Sequence, residues 1–185
     1  MKIHLETERL ILRDIISTDV DGLFELDSNP NVHTYLGNKP VENIDQSREV
    51  IKAIQQQYRE NGIGRWAIID KETKDFIGWT GLKLVTEKIN SHIGFYDLGY
   101  RLLEKYWGKG IATETANATL KYAFTKLNLL EVYAMCDIEN IGSKNVLEKA
   151  GFSFIESFDY NGIEHNWFKI TKGEWNGKQI LNAKL

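Results

Sequence analysis

Trp107-Gly108-Lys109-Gly110-Ile111-Ala112-Thr113 joins a stretch of strand pattern to a stretch of helix pattern. Glycines at such a junction let backbone N–H groups approach a ligand that side chains would exclude. The helix that follows adds unpaired donors and a partial positive charge at its N-terminus. Together these favour a phosphate or pyrophosphate. On spacing alone, a plain glycine turn entering a helix reads equally well. The loop is not G-x-x-x-x-G-K-[ST], and no third glycine completes G-x-G-x-x-G. The repeated βαβ units of a dinucleotide-binding sheet are missing too.

On the N-terminal side of the loop, Ile93–Leu103 alternates as a strand. Phe95, Asp97, Gly99 and Arg101 fall on one face, and Tyr96, Leu98, Tyr100 and Leu102 on the other. On its C-terminal side, Ala112–Leu127 carries the apolar stripe Ala112, Ala116, Leu120, Phe124 and Leu127 of a helix. Further out, Glu131–Asp137 reads as a strand and Ile141–Ala150 as a short helix stopped by Gly151. Phe152–Tyr160 and Ile163–Thr171 flank Asn161-Gly162, a strong hairpin signal. Lys172–Leu185 is polar, with Trp175 as an anchor.

Toward the start, Arg9–Asp14 reads as the first strand, and Ser17 or Thr18 caps a short helix over Val20–Leu26. Asn29-Pro30-Asn31 breaks that helix. Asp45–Glu60 is helical, with Val50, Ile51, Ile54 and Tyr58 on one face and Asn61-Gly62 as its stop. Ile63–Asp70 and Phe76–Val85 are strands turned by Lys71–Lys74, and Gly78 and Gly81 disturb the second. An antiparallel run interrupted by helical crossovers makes an α+β fold: a mixed, mostly antiparallel sheet with helices on its faces. Residues 1–185 are expected to form a single domain.

Composition narrows the function. The hydrophobic share of 42% and charged share of 26% belong to an ordinary soluble globular chain. A net charge of −3 with no Lys/Arg cluster argues against nucleic acid as a partner. One cysteine, Cys136, excludes an internal disulfide. The start of the chain lacks a secretory pattern and no stretch reaches transmembrane length. A cytoplasmic protein with no membrane partner is expected. No His/Cys/Asp/Glu spacing marks a metal site.

Several blocks together resemble one family. Trp107-Gly108-Lys109-Gly110-Ile111-Ala112 is similar to the cofactor signature of the Gcn5-related N-acetyltransferases (GNAT), with Trp107 replacing the usual Gln or Arg. Glu6–Arg13 resembles the opening strand of the branch that acetylates ribosomal-protein N-termini, and Asp97–Leu102 its central strand. Asn140-Ile141-Gly142-Ser143 with Leu147–Phe152 resembles its late Asn-x-x-Ser helix and Gly-Phe exit. The resemblance runs from about Glu6 to about Ile170. It implies a strongly twisted sheet splayed at its centre, with acetyl-CoA as acyl donor and an amine, on a protein N-terminus or a small molecule, as acceptor. It also implies that the backbones of Leu102 and Leu103 meet pantetheine. Gly108, Lys109, Gly110, Ile111 and Ala112, with Thr113, would hold the pyrophosphate, and Asn140 the pantetheine arm or the late helix. It allows a homodimer.

Acetyl transfer needs a neutral amine, a polarised thioester, a donor for the oxyanion and a proton for the departing thiolate. By the resemblance, Asp97 stands where several members carry a catalytic glutamate. Being one methylene shorter, it would act through water. A solvated carboxylate, or a partner for Arg101, is the competing reading. Ser143 matches the serine proposed to protonate the thiolate, against the reading of a helix cap. The tyrosine that other members place later in this helix is missing. Glu164 and His165 stand as base or substrate contacts, or as a polar exposed face. Tyr35, Tyr160, Trp66 and Trp79 are candidates for walling an acceptor pocket, with Trp66 and Trp79 expected in the core. His33 and His92 read as surface or loop residues and Cys136 as core packing. The competing function is a coenzyme A-binding module with little catalysis.

Overall fold

The structure is a computed structural model describing residues 1–182. Eight strands form one sheet: β1 (Ile3–Glu6), β2 (Leu10–Asp14), β3 (Arg65–Asp70), β4 (Phe76–Val85), β5 (Phe95–Leu102), β6 (Glu131–Asp137), β7 (Ser153–Tyr160) and β8 (Ile163–Thr171). Their order is β1-β2-β3-β4-β5-β6-β8-β7. Every neighbouring pair is antiparallel except β5 and β6. That parallel pair is joined through a helix, as parallel strands require. It is registered at Asp97↔Tyr133 alone. By contrast β6 pairs with β8 along all of Glu131–Asp137. Beyond Asp97 the two central strands therefore diverge, and the mixed sheet is splayed at its middle.

Helices α1 (Val20–Ser28), α2 (Pro30–His33) and α3 (Ile44–Asn61) precede the meander of β3 to β5. The side chain of Asn43 accepts from the N–H groups of Asp45 and Gln46, and Gln46 reaches back, so a capping box starts α3. Gly62, at φ +67°, ends it. Ile51 and Ile54 of α3 pack with Leu23 and Leu26 of α1 against Ala67 and Ile69 of β3. The other face takes α4 (Ile111–Thr125), α5 (Ile141–Ala150) and α6 (Lys172–Asn182). There Ala116, Leu120 and Phe124 bury against Leu98, Val132 and Phe168. Fully burying a Leu or Phe contributes about 1.5–3 kcal/mol, so the α4 stripe is a main anchor of this layer.

Three elements escape the sequence pattern, among them α2, a one-turn helix at the Asn29-Pro30-Asn31 break. Strand β1 is four residues with exposed ends and a half-buried middle, too short to show a period, and it lies on the edge beside β2. Helix α6 occupies the segment read as merely polar. It starts from a reciprocal pair: the Glu174 carboxylate accepts from the Thr171 N–H at 2.7 Å, and Thr171 Oγ1 accepts from the Glu174 N–H at 3.3 Å. Trp175 then anchors it, its ring centroid 5.5 Å from that of Phe124. Residues 183–185 of the expected single domain lie outside the described residues.

Gly78 holds β4 against β5 with φ +151°, and a Cβ there would stand 2.1 Å from the Arg101 carbonyl oxygen. Both the strained φ and the backbone overlap must be relieved in any substitution. Gly78→Ala is expected to lower the unfolding free energy by at least about 2 kcal/mol, measured as a shift of the urea midpoint. An unchanged midpoint would show that β4 yields without resistance.

Candidate active site in the splay

The Leu103 N–H donates to the Ile77 carbonyl at 2.9 Å, extending the β4–β5 ladder by one residue. Backbone direction alternates along an antiparallel strand. Arg101 and Gly99 therefore turn their N–H and C=O to β4, while Leu98, Tyr100 and Leu102 turn theirs toward the gap. A cleft of about 1300 Å³ opens there. Leu98, Tyr100 and Leu102 line it, and Leu103 does not. Of the two backbones expected to meet pantetheine, Leu103 is thus set aside: its N–H is spent on Ile77 and its carbonyl accepts from the Tyr106 N–H at 2.9 Å. The Leu102 carbonyl accepts from the indole Nε1–H of Trp107 at 2.9 Å. That bond ties the strand end to the glycine loop while the Trp107 ring stays 45% exposed.

Gly108 and Gly110 adopt φ +70° and +75°, and open space surrounds the place where each Cβ would be. Gly110 is the N-cap of α4 and supplies no side chain. The first backbone bond of α4 runs from the Glu114 N–H to the Gly110 carbonyl at 3.0 Å. The N–H groups of Ile111, Ala112 and Thr113 are left without a backbone partner, at the positive end of a 15-residue helix. All three residues line the cleft. Arg9 braces the loop from outside by an ion pair with Glu114 and a bond to the Lys109 carbonyl at 3.3 Å. The Lys109 side chain lies over the Tyr106 ring and does not line the cleft. An unpaired strand edge leading to an uncapped helix N-terminus fits a long ligand with amides in its arm and a pyrophosphate at its end.

Asn140 caps α5: its Oδ1 accepts from the Ser143 N–H at 2.9 Å. The capping role considered for Ser143 therefore belongs to Asn140. The Ser143 hydroxyl lies 2.9 Å from the Tyr100 hydroxyl, which also reaches the Ser143 carbonyl at 3.0 Å. Tyr100 had been legible only as a strand residue on the Leu98/Leu102 face. Burial pushes the Tyr100 phenol well above its ordinary range. Cys136 is buried beside this pair, and burial raises its thiol as well.

The opposite face of β5 carries the charged groups. Asp97 forms an ion pair with Arg65 of β3, their side chains 14% and 12% exposed. Arg65 also donates to the Asp97 carbonyl at 2.8 Å. Arg101, the partner weighed for Asp97, instead pairs with Asp27 of α1 at 2.6 Å. Burial pushes the Asp97 carboxyl above its usual range, and the Arg65 charge opposes that rise. Between the two guanidinium groups lies Trp79, 5.3 Å from Arg65 and 5.1 Å from Arg101. Trp79 is half-buried and lines the cleft, which corrects the expectation of a core residue, whereas Trp66 is fully buried.

Tyr35, Tyr160 and His165 also line the cleft, and Glu164 does not. His33 is no surface residue. It is 7% exposed, both ring nitrogens lack a partner, and burial lowers its pKa beside Arg101 and Asp27. His92 is half-buried against Phe95, Tyr133 and Trp167. Among the described residues no group of three or more His, Cys, Asp or Glu converges, and no helix is long and apolar enough to cross a membrane.

A cleft of this build in a splayed mixed sheet defines a coenzyme A-dependent acyltransferase. Residues 9–153 match the family model described as the acetyltransferase (GNAT) domain, and the chain belongs to that family. It is 34% identical over 148 residues to p20, an uncharacterised N-acetyltransferase of Bacillus licheniformis, covering 80% of this chain and 81% of that one. Two solved structures share the fold. Spermidine N-acetyltransferase from Vibrio cholerae, in complex with CoA and spermine, aligns with a TM-score of 0.73 at 24% identity, over 92% of this chain and 99% of that one. Ribosomal-protein-S5-alanine acetyltransferase from Vibrio fischeri aligns at 0.75 and 19%, over 94% and 99%. The protein is an acetyl-CoA-dependent N-acetyltransferase acting on amines, which sets aside the non-catalytic alternative.

Gly110→Ala forces an alanine into the left-handed region, costing about 1–2 kcal/mol, and disturbs the free N–H groups that follow it. The KM for acetyl-CoA should rise about tenfold, the equivalent of 1.4 kcal/mol, with kcat little changed in steady-state assays. An unaltered KM would remove the loop from donor binding.

Proposed function

We propose that the enzyme acetylates the α-amine of a protein or peptide N-terminus by direct transfer in a ternary complex. Asp97 is the general base and Ser143 the proton donor to the leaving thiolate. Acetyl-CoA supplies an activated acetyl thioester. Its arm would lie along Leu98, Tyr100 and Leu102, its pyrophosphate on the N–H groups of Gly108–Thr113, with Trp107 and Asn140 framing the two ends.

The observation that carries this reading is the placement of the two candidates on either side of the opened β5 edge, Asp97 on the strand itself and Ser143 on α5 against the Tyr100 hydroxyl. Asp97 stands at the vertex of the splay, where β5 and β6 part. Arg65 engages only its Oδ2, leaving Oδ1 to take a proton from the amine, directly or through water. An N–H of the free β5 edge meets the oxyanion as it forms. Ser143, on the far face, gives its hydroxyl proton to the sulfur and is replenished from solvent in the open cleft.

The choice of acceptor rests on charge balance. Among the charged residues lining the cleft, Lys39, Arg65, Arg101 and Lys149 outnumber Asp97, Glu104 and Asp137. A polycation finds no surplus of carboxylates there. An amine with one charge and an apolar neighbour finds Tyr35, Leu36, Trp79, Tyr160 and Ile163. An acetyl-CoA consumption assay against N-terminal peptides, small monoamines and spermidine tests this. Peptides should exceed spermidine by at least about tenfold in kcat/KM, within the range an apolar pocket supplies. A preference for spermidine would overturn the peptide assignment.

Asp97 must be ionised to accept a proton, and burial raises its pKa. The acid limb of kcat/KM should therefore fall as pH drops through a value above the ordinary carboxylate range. Asp97→Asn should erase that limb and cut kcat by about 10²–10³. The rise in Tm given by acetyl-CoA should persist, showing that the fold and donor site survive. A variant that keeps both turnover and the limb would exclude Asp97 as base.

A further inference from the structure

We infer that Tyr100 is a positioning residue that sets the Ser143 hydroxyl for proton delivery to the departing sulfur, a role no sequence motif assigns to it. The inference rests on the reading of Ser143 as the proton donor. Its basis is a three-part contact. The Tyr100 hydroxyl lies 2.9 Å from Ser143 Oγ and 3.0 Å from the Ser143 carbonyl oxygen, and both residues line the cleft. Ser143 is fixed from the other side, since its N–H is held by the Asn140 cap. The serine is thereby gripped at N–H, carbonyl and hydroxyl, and only the hydroxyl rotor is left to choose.

A phenol has one proton to give. Given to the Ser143 carbonyl, it lets the serine hydroxyl point back at the phenol oxygen, away from substrate. Given to Ser143 Oγ, it leaves the serine proton free for the cleft and donates a hydrogen bond to the oxygen that becomes negative. When the tetrahedral intermediate collapses, the C–S bond breaks and its electron pair goes to sulfur. The Ser143 proton moves to sulfur, Tyr100 keeps its proton and stabilises the serine oxygen, and solvent re-protonates Ser143. The ammonium loses two protons through Asp97, one before attack and one as the amide forms, and solvent returns one to Ser143, so the balance is one thiol formed and one proton released per ammonium acetylated. Burial holds the Tyr100 phenol protonated well above neutral pH, as a standing donor must be. The late-helix tyrosine missing from α5 is thus matched by a phenol that arrives from β5.

A mutant cycle of Tyr100→Phe, Ser143→Ala and the double variant tests the inference. Phenylalanine keeps the ring on the Leu98 face and removes only the hydroxyl. Each single variant is expected to lower kcat about tenfold or more, with both KM values and the acetyl-CoA-induced Tm shift nearly unchanged. The double variant should be no slower than Ser143→Ala, because the two groups act as a unit. If Ser143→Ala leaves kcat intact, the proton-donor reading fails and this inference falls with it. If Ser143→Ala slows turnover while Tyr100→Phe does not, or the losses multiply in the double variant, Ser143 stands and the positioning role is overturned. A Tyr100→Phe loss confined to KM would reduce Tyr100 to a wall of the cleft and likewise overturn it.

Discussion

The single β5–β6 registration at Asp97↔Tyr133 governs the rest of the molecule. A backbone group left unpaired in the interior costs about 1–3 kcal/mol, so a sheet torn open at its middle needs an offset. Each torn strand is secured on its other side, β5 by β4 and β6 by β8. The helices α4 and α5 pack across the tear, and the Trp107 indole takes one of the stranded carbonyls. What remains unpaired beyond the Asp97↔Tyr133 bridge is the Tyr100 backbone, the Leu102 N–H and the first turn of α4. A ligand with amides and phosphates completes them, so donor affinity and fold are parts of one hydrogen-bond account.

The opposite face of β5 answers a different demand, that of burying charge. Asp97–Arg65 and Arg101–Asp27 are two nearly desolvated pairs with the Trp79 indole between them. Removing one partner from such a pair leaves an uncompensated charge, which costs more than the pair contributes. The arrangement makes a stiff, nearly neutral floor. Gly99 leaves room for Arg65 to lie across β5, since a Cβ there would come within 2.8 Å of its guanidinium and make it shift. Burial raises the Asp97 pKa there, and the Arg65 charge opposes that rise.

Local patterns were legible in the sequence, and long-range partnerships were not. The alternation of Phe95–Leu102 placed Asp97 and Tyr100 on opposite faces, the Asn161-Gly162 hairpin appears where expected, and α3, α4 and α5 lie within one or two residues of their expected limits at each end. Arg65 was invisible as the partner of Asp97 because 32 residues and the whole of β4 separate them. Trp79 looked like core because a strand aromatic usually is. Its exposure follows from the two arginines that flank it. His33 looked like a loop residue, yet α2 turns it beneath Arg101. Tyr100 carried no signal beyond apolar periodicity, since its hydroxyl acquires meaning only when α5 crosses above it.

The parity of β5 then links the two halves of the chemistry. Odd residues present Asp97 to the floor of Arg65 and Trp79, and even residues present Tyr100 to the roof that holds Ser143. The plane of the sheet would separate those groups, and only the splay brings them to one cleft. A slip of one residue in the β4–β5 register would exchange the faces entirely. Eight consecutive pairs from Gly78↔Leu102 to Val85↔Phe95 hold it in place. The longest uninterrupted ladder in the sheet thus borders its one tear, and the rigidity of the first is what lets the second be open without being loose.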